Sequence, residues 1–182
     1  MSARRDELIE AAARLLDDGG PQAVTLREVG RATGVSHNAP YRHFADKAQL
    51  LAAIAARELR RQVPSDESQD IERRMVGYVR WALAFPERFR LVFGRWERDD
   101  AELGSAADGA RAGLVAAVAT AQDQGRLPVG DPERVASLLL ALAHGAVTLA
   151  LAGHLARDGK GRASPEDLVA DLFACLRASG VG

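Results

Sequence analysis

From residue 4 to residue 18 the apolar positions fall at Leu8, Ile9, Ala12, Leu15 and Leu16, with Arg, Asp and Glu between them. Spacings of three and four gather these side chains on one face of an α-helix. Gly19-Gly20-Pro21 ends that helix. Residues 25–47 describe two short helices joined by a tight turn, and a further helix follows at once over about 47–62. Its buried face would use Leu50, Leu51 and Ile54, with Val24, Leu26, Val29, Val35 and Phe44 closing a small core. Further helices are expected at about 68–84, 87–94, 107–124, 131–156 and 164–180. Residues 94–106, with Gly, Arg, Trp and several acids, read as a loop, as does Arg157–Ala163. Every strong period is helical and no β-hairpin signature appears. The expected fold is therefore all-α with about nine helices. A polar break at Pro64-Ser65-Asp66-Glu67-Ser68 divides it into an N-terminal domain of residues 1–62 and a C-terminal helical bundle of residues 63–182.

The helix starts carry their own chemistry. Thr25 and Glu28 have capping-box spacing: the hydroxyl accepts from a first-turn N–H and the carboxylate returns to the cap's N–H. Gly34 falls just past the first helix of the pair, where a left-handed residue is needed. Ser36 can cap the next helix and Asp46 the one after. Asp131-Pro132-Glu133 and Ser164-Pro165-Glu166-Asp167 combine a cap, a proline at the first helical position and an early acid.

Composition narrows the class. Hydrophobic residues at 47% and charged residues at 27% are ordinary for a globular protein, and the net charge is −1. Residues 1–62 hold 10 Arg and Lys against 8 Asp and Glu, while residues 63–182 hold 14 against 17. That balance permits a local basic face on the first part. Cys175 is the one cysteine, which rules out an internal disulfide and a cysteine-rich metal site. The start Met1-Ser2-Ala3-Arg4-Arg5 has no signal-peptide core, so a bacterial cytoplasmic location is expected. Residues 135–156 are 22 in a row without formal charge, long enough to span a bilayer. His144, His154, Ser137 and Thr148 interrupt them, so a helix buried on more than one side is expected rather than a membrane span. There is no HExxH, no glycine-rich phosphate loop and no GxSxG, and the histidines at 37, 43, 144 and 154 lack metal-ligand spacing with acids. No catalytic site, metal or cofactor is expected.

The 25–47 segment is the most specific signal. Its opening Thr25-Leu26-Arg27-Glu28-Val29 is followed by Gly34-Val35-Ser36, Tyr41-Arg42-His43-Phe44, Asp46-Lys47 and Leu50-Leu51. These residues, at these offsets, resemble the N-terminal helix-turn-helix domain of the tetracycline-repressor (TetR) family over roughly residues 4–62. The resemblance implies a homodimeric transcriptional regulator, most often a repressor, on double-stranded operator DNA of palindromic form. It also implies a small-molecule effector held by the C-terminal domain. Pro40 departs from the pattern, because the family usually has a larger apolar residue there. Lacking an N–H, Pro40 leaves two alternatives: a tightened, irregular helix, or one that starts near Asn38 or Ala39.

The DNA-contact residues follow from position and chemistry. Lys47 opens a helix whose free N–H groups already favour an anion, so it is expected on phosphate. The resemblance puts Tyr41, His43 and the Thr25 end of its helix on the backbone as well. His37, Asn38 and Ala39, with Ser36 beside them and Arg42 a further candidate, would face bases. Asn suits adenine, Arg suits guanine and Ala can touch a thymine methyl. Asn38 could alternatively cap a late-starting helix. In the C-terminal part, Trp81, Phe85, Phe89, Phe93 and Trp96 form an aromatic series that could line an effector pocket, with His144 and Thr148 as polar groups. Ordinary core packing is the other reading of those aromatics. Leu142, Gly145 and Leu149, with Leu168, Leu172, Phe173 and Leu176, are expected at a dimer interface, where Ala141, Gly145 and Gly153 would allow close approach. Leu142-Ala143-His144-Gly145 resembles the Trp-His-Gly (WHG) pattern of one C-terminal subclass, with Ala143 in place of the tryptophan.

Overall fold

The computed structural model describes residues 3–36, 38–63, 70–97 and 99–179. The polar break at 64–68 and His37 lie outside the described residues. Among the described residues eight α-helices follow in order: α1 (Ala3–Ala23), α2 (Leu26–Ala32), α3 (Lys47–Arg61), α4 (Ile71–Ala84), α5 (Pro86–Val92), α6 (Ala101–Asp123), α7 (Pro132–Leu151) and α8 (Pro165–Ser179). A 3-10 turn, Pro40–Arg42, lies between α2 and α3. The described residues contain no β-strand; one isolated bridge, Ala156 to Gly161, closes the loop before α8.

The chain divides into two compact units, one of Met1–Gln62 with Phe85–Ala110 and one of Val63–Ala84 with Arg111–Gly182. In the first, Leu8, Ile9, Ala12 and Leu16 of α1 meet Val24, Leu26, Val29, Phe44, Leu50 and Ile54, all buried. This core comes from the apolar stripes of α1 and α3, so the helical period of the sequence settles it. The backbone leaves helical geometry at Gly19 and Gly20, and Pro21–Ala23 forms a separate final turn of α1. Leu103 and Ala106 of α6 pack on Ala52, Ala55 and Ala56 of α3.

α5 is fastened to the same unit by charge. Arg88 is only 5% exposed; its Nε and Nη2 donate to Asp17 at 2.9 and 2.6 Å, and its Nη1 to Glu58 at 3.3 Å. Glu58, 1% exposed, also accepts from Arg57 and Arg61. Burial alone would lower the Arg88 pKa, but the Asp17 hydrogen bond and the nearby carboxylates raise it, so the guanidinium stays charged.

In the second unit α4 packs on α7 and α8, and α7 on α8. Ile71, Met75, Tyr78, Val79 and Ala82 of α4 face Ala136, Leu139, Ala143 and Val147 of α7 and Val169 and Phe173 of α8 as the buried set. α7 is long and apolar enough to cross a membrane by length and composition. Its buried side faces α4 and α8, while Leu138 and Leu149 stay 68% and 47% exposed.

Three boundaries differ from the sequence reading. α6 begins at Ala101, inside the expected loop, because Asp100 caps it through the Leu103 N–H at 2.9 Å. α7 stops at Leu151, not near 156: the His154 N–H donates to the Leu149 carbonyl and the Gly153 N–H to that of Ala150. That pair of bonds is a Schellman closure. The helix expected between Ser36 and Phe44 is reduced to the 3-10 turn.

Candidate DNA interface and effector region

α2 starts at the Thr25 cap, whose hydroxyl accepts from the Glu28 N–H at 3.1 Å. The second half of the expected capping box is absent. The Glu28 carboxylate takes the Arg31 guanidinium instead, at 2.9 and 2.6 Å. A second Schellman closure ends α2: Val35 N–H donates to Gly30 carbonyl and Gly34 N–H to Arg31 carbonyl. Gly34 has φ +66°, a left-handed conformation that a Cβ would disfavour, so its glycine is a requirement of the turn.

Beyond the turn the chain does not resume an α-helix. Ser36 contributes its carbonyl, which accepts from the Ala39 N–H at 2.9 Å. The cap position of the 3-10 turn falls to Ala39, which gives no side-chain hydrogen bond, and Pro40 takes the first position. Pro40 has no N–H to lose there, and both alternatives meet: the start falls late, at the Ala39 cap, and the turn is tightened. The His43 and Phe44 N–H groups both donate to the Pro40 carbonyl at 3.0 Å. Buried Pro40 and Phe44 anchor the segment, while Asn38, Tyr41 and Arg42 are exposed and Ala39 and His43 half-buried. Tyr41 is 51% exposed.

α3 opens directly afterwards. Asp46 accepts from the Gln49 N–H at 2.9 Å, and the Gln49 side chain accepts from the Ala45 N–H at 2.7 Å. Lys47 is the first helical residue, where the unpaired N–H groups of a helix start add to its own charge. Thr25 and Ser36 are exposed and Lys47 is half-buried.

The aromatic series is distributed over both units. Phe89 is buried with its ring 5.4 Å from that of Phe93, which is 40% exposed. Trp96 packs on the alanines of α3. Phe85 lies beyond the end of α4, so it does not stand one helical turn from Trp81; the Arg88 guanidinium lies 4.3 Å from its ring centroid. These four residues belong to the first unit and Trp81 to the second. There Trp81 stands 6.1 Å from the ring of Tyr78, and the Tyr78 hydroxyl is hydrogen-bonded to His144 Nδ1 at 3.1 Å. Thr148 donates to the His144 carbonyl at 2.9 Å and is exposed. Burial raises the Tyr78 pKa well above its ordinary value and lowers that of His144, so both are neutral at pH 7. Tyr78 was not among the sequence candidates. Its signal was a lone hydroxyl on the apolar stripe Ile71, Met75, Val79, Ala82, where a buried phenol needs a partner.

On α7, Leu138, Leu142, Gly145 and Leu149 fall at helical spacings of four, three and four on one face, and Ala141 and Thr148 border it. Leu142 and Gly145 are half-buried, as are Leu168, Leu172 and Leu176 on α8, whereas Phe173 is buried within its own unit.

The arrangement defines a helix-turn-helix unit within an all-α chain. Residues 8–54 match the family of bacterial regulatory proteins, tetR family, and residues 71–172 match the tetracyclin repressor-like C-terminal domain. The chain belongs to the tetracycline-repressor family. It is 32% identical over 103 residues to the HTH-type transcriptional repressor AcnR of Corynebacterium efficiens, a match covering 54% of this chain and 53% of that one. It thus spans about half the length of that relative. A solved protein of unknown function from Rhodococcus sp. RHA1 superposes with TM-score 0.79 at 28% identity, covering 98% of this chain and 96% of the other. AibR, solved in complex with isovaleryl coenzyme A and operator DNA, shares the fold with TM-score 0.60 at 20% identity, over 95% of this chain and 97% of that one.

Proposed function

We propose that the protein is a sequence-specific transcriptional repressor that binds operator DNA as a homodimer in the bacterial cytoplasm and leaves it when a small molecule binds. The observation that carries the reading is the helix-turn-helix itself. The Gly34 turn sets an exposed segment, Asn38 to Arg42, against α2, and Lys47 follows at the start of α3. Phosphate contacts from Lys47, Thr25, Tyr41 and His43 position the unit, and Asn38, Ala39 and Arg42, with Ser36 and His37, address bases. The domain division of this reading is a DNA-binding segment, residues 1–62, and a regulatory segment, residues 63–182.

The dimer rests on the uncovered stripe Leu138, Leu142, Gly145 and Leu149 of α7, with Leu168, Leu172 and Leu176 of α8. A charge-free stripe with leucines 68% and 47% exposed favours burial against a second copy. Two copies would present two recognition segments to successive major grooves about 34–36 Å apart. The effector reading rests on Trp81, Tyr78 and His144, where an aromatic wall carries a neutral hydroxyl–imidazole pair suited to an uncharged or weakly polar ligand. Thr148, one helical turn beyond His144, belongs to the same effector-binding set, while Phe85, Phe89, Phe93 and Trp96 stay with the first unit and are no part of it. Such a ligand acts only through unequal affinity for the DNA-competent and incompetent states. AibR, which binds both an acyl-coenzyme A and operator DNA, supports the pairing of the two activities on this fold.

Sequencing of the genomic fragments retained by the purified protein tests the proposal. Retained fragments should share an inverted repeat with half-sites one helical turn, or a multiple of it, apart. Fragments drawn evenly from the whole genome would reject it.

A further inference from the structure

We propose that Pro40, seated on Gly30, is a specificity-determining positioning residue that sets which base pairs of each half-site Asn38 and Arg42 reach. This rests on the DNA-binding reading above. Pro40 is buried, and its ring lies where a side chain on Gly30 would begin: a Cβ there would stand 3.3 Å from Pro40 Cγ and 3.6 Å from Cδ. Gly30 also supplies the carbonyl that accepts from Val35 at 3.1 Å and closes the turn. One residue of α2 therefore fixes both the turn and the seat of the segment after it.

The missing N–H has a second consequence. A residue at position 40 with an N–H could bond the Ser36 carbonyl and wind the segment as an α-helix. Instead that carbonyl takes the Ala39 N–H, Arg42 bonds Ala39 at 3.2 Å and His43 bonds Pro40 at 3.0 Å. These are three-residue closures, and a 3-10 turn rises about 2.0 Å per residue with side chains three apart overlaid. Arg42 therefore projects over Ala39, and at that rise Asn38 to Arg42 spans roughly 8 Å, or about two base pairs. Phe44, 1% exposed, holds the far end in the core, so the segment cannot lengthen toward α3. Arg42 carries the bidentate geometry for guanine and Asn38 that for adenine.

Selection from a random duplex pool, followed by titration against the selected and scrambled duplexes, tests this with wild type, Pro40→Ala and Gly30→Ala. Pro40→Ala restores the N–H; Gly30→Ala keeps the proline and displaces its ring. The wild type should enrich a short half-site. Each variant should enrich a different one, at least one base pair altered, and should lose about tenfold of the preference for the wild-type sequence, with affinity for scrambled duplex changed less than twofold. Circular dichroism identifies a variant that fails to fold, and the other then carries the test. Folded variants that enrich the wild-type half-site with undiminished preference overturn the proposal. A wild type that enriches no motif overturns the DNA-binding reading beneath it.

Discussion

Arg88→Met should destabilise the first unit by an amount the geometry bounds. The change keeps an unbranched apolar stem and removes the guanidinium that joins Asp17 of α1 to Glu58 of α3. Losing one partner of a buried ion pair costs about 3–5 kcal/mol. Glu58 keeps Arg57 and Arg61 at 3.3 and 3.2 Å, and the Asp17 side chain is 25% exposed and can take water. Both facts place the cost at the low end, about 3 kcal/mol. With a urea slope of about 2 kcal/mol per molar, the midpoint falls by roughly 1.5 M. In a Trp81→Phe background the fluorescence of Trp96 reports on the first unit alone. Adding Asp17→Asn to Arg88→Met removes the carboxylate whose guanidinium partner has gone, while Glu58 stays paired with Arg57 and Arg61, and should recover part of the loss. A single variant with a midpoint within about 0.3 M of wild type, or a double variant no better than the single, would refute the reasoning.

Lys47→Ala should weaken binding to specific and random duplexes in similar ratio and flatten the salt dependence by about one unit of slope, read by fluorescence anisotropy at several salt concentrations. Leu149→Arg and Leu172→Arg should give monomers or aggregates by light scattering, where the wild type at micromolar concentration is a dimer; a wild-type monomer would contradict the α7–α8 interface. Trp81→Ala should abolish effector release and leave DNA binding nearly intact, whereas joint loss of DNA binding and fold would make Trp81 a core residue and remove it from the pocket. For Glu102, burial opposes the charged form, but hydrogen bonds from Arg60 and Arg5 outweigh it and hold its pKa below the ordinary value. Its contribution to stability is therefore complete above the ordinary carboxylate range and lost as pH falls through the lowered folded value, so Glu102→Gln should flatten the acid limb below about pH 4 in urea titrations.

The parts of the fold legible in the sequence are those where one helix face carries the information. The stripe of α1 and the Leu50, Ile54 face of α3 are periodic, and the Thr25, Asp46, Asp131 and Ser164 starts each show their cap; at α8, Ser164 and Asp167 bond each other's N–H groups at 2.8 and 3.2 Å. The start of α6 was hidden because Gly104 and Gly109 dilute its apolar pattern, and only the Asp100 cap marks it. The end of α7 was hidden by a run of uncharged residues in which Gly153 looks like any other small residue. At the DNA-binding segment the departure at Pro40 was visible, but that the segment would start late and also stay a tight turn was not, because the seat of the ring on Gly30 is a tertiary contact. The Arg88–Asp17–Glu58 network was only half legible: Glu58 falls four residues after Ile54 on the buried face of α3 and so needs a partner, but only tertiary packing brings Arg88 and Asp17 together with it.

In the proposed function a dimer reads DNA sequence through Ser36, His37, Asn38, Ala39 and Arg42, held in place by its phosphate contacts. Anisotropy titration of the selected operator duplex and of a scrambled duplex of equal length, at one physiological salt concentration, tests it most directly. Binding should saturate at two chains per operator, with an affinity at least about 10³-fold tighter than for the scrambled duplex. Equal affinity for the two duplexes, or no binding to either, would contradict it.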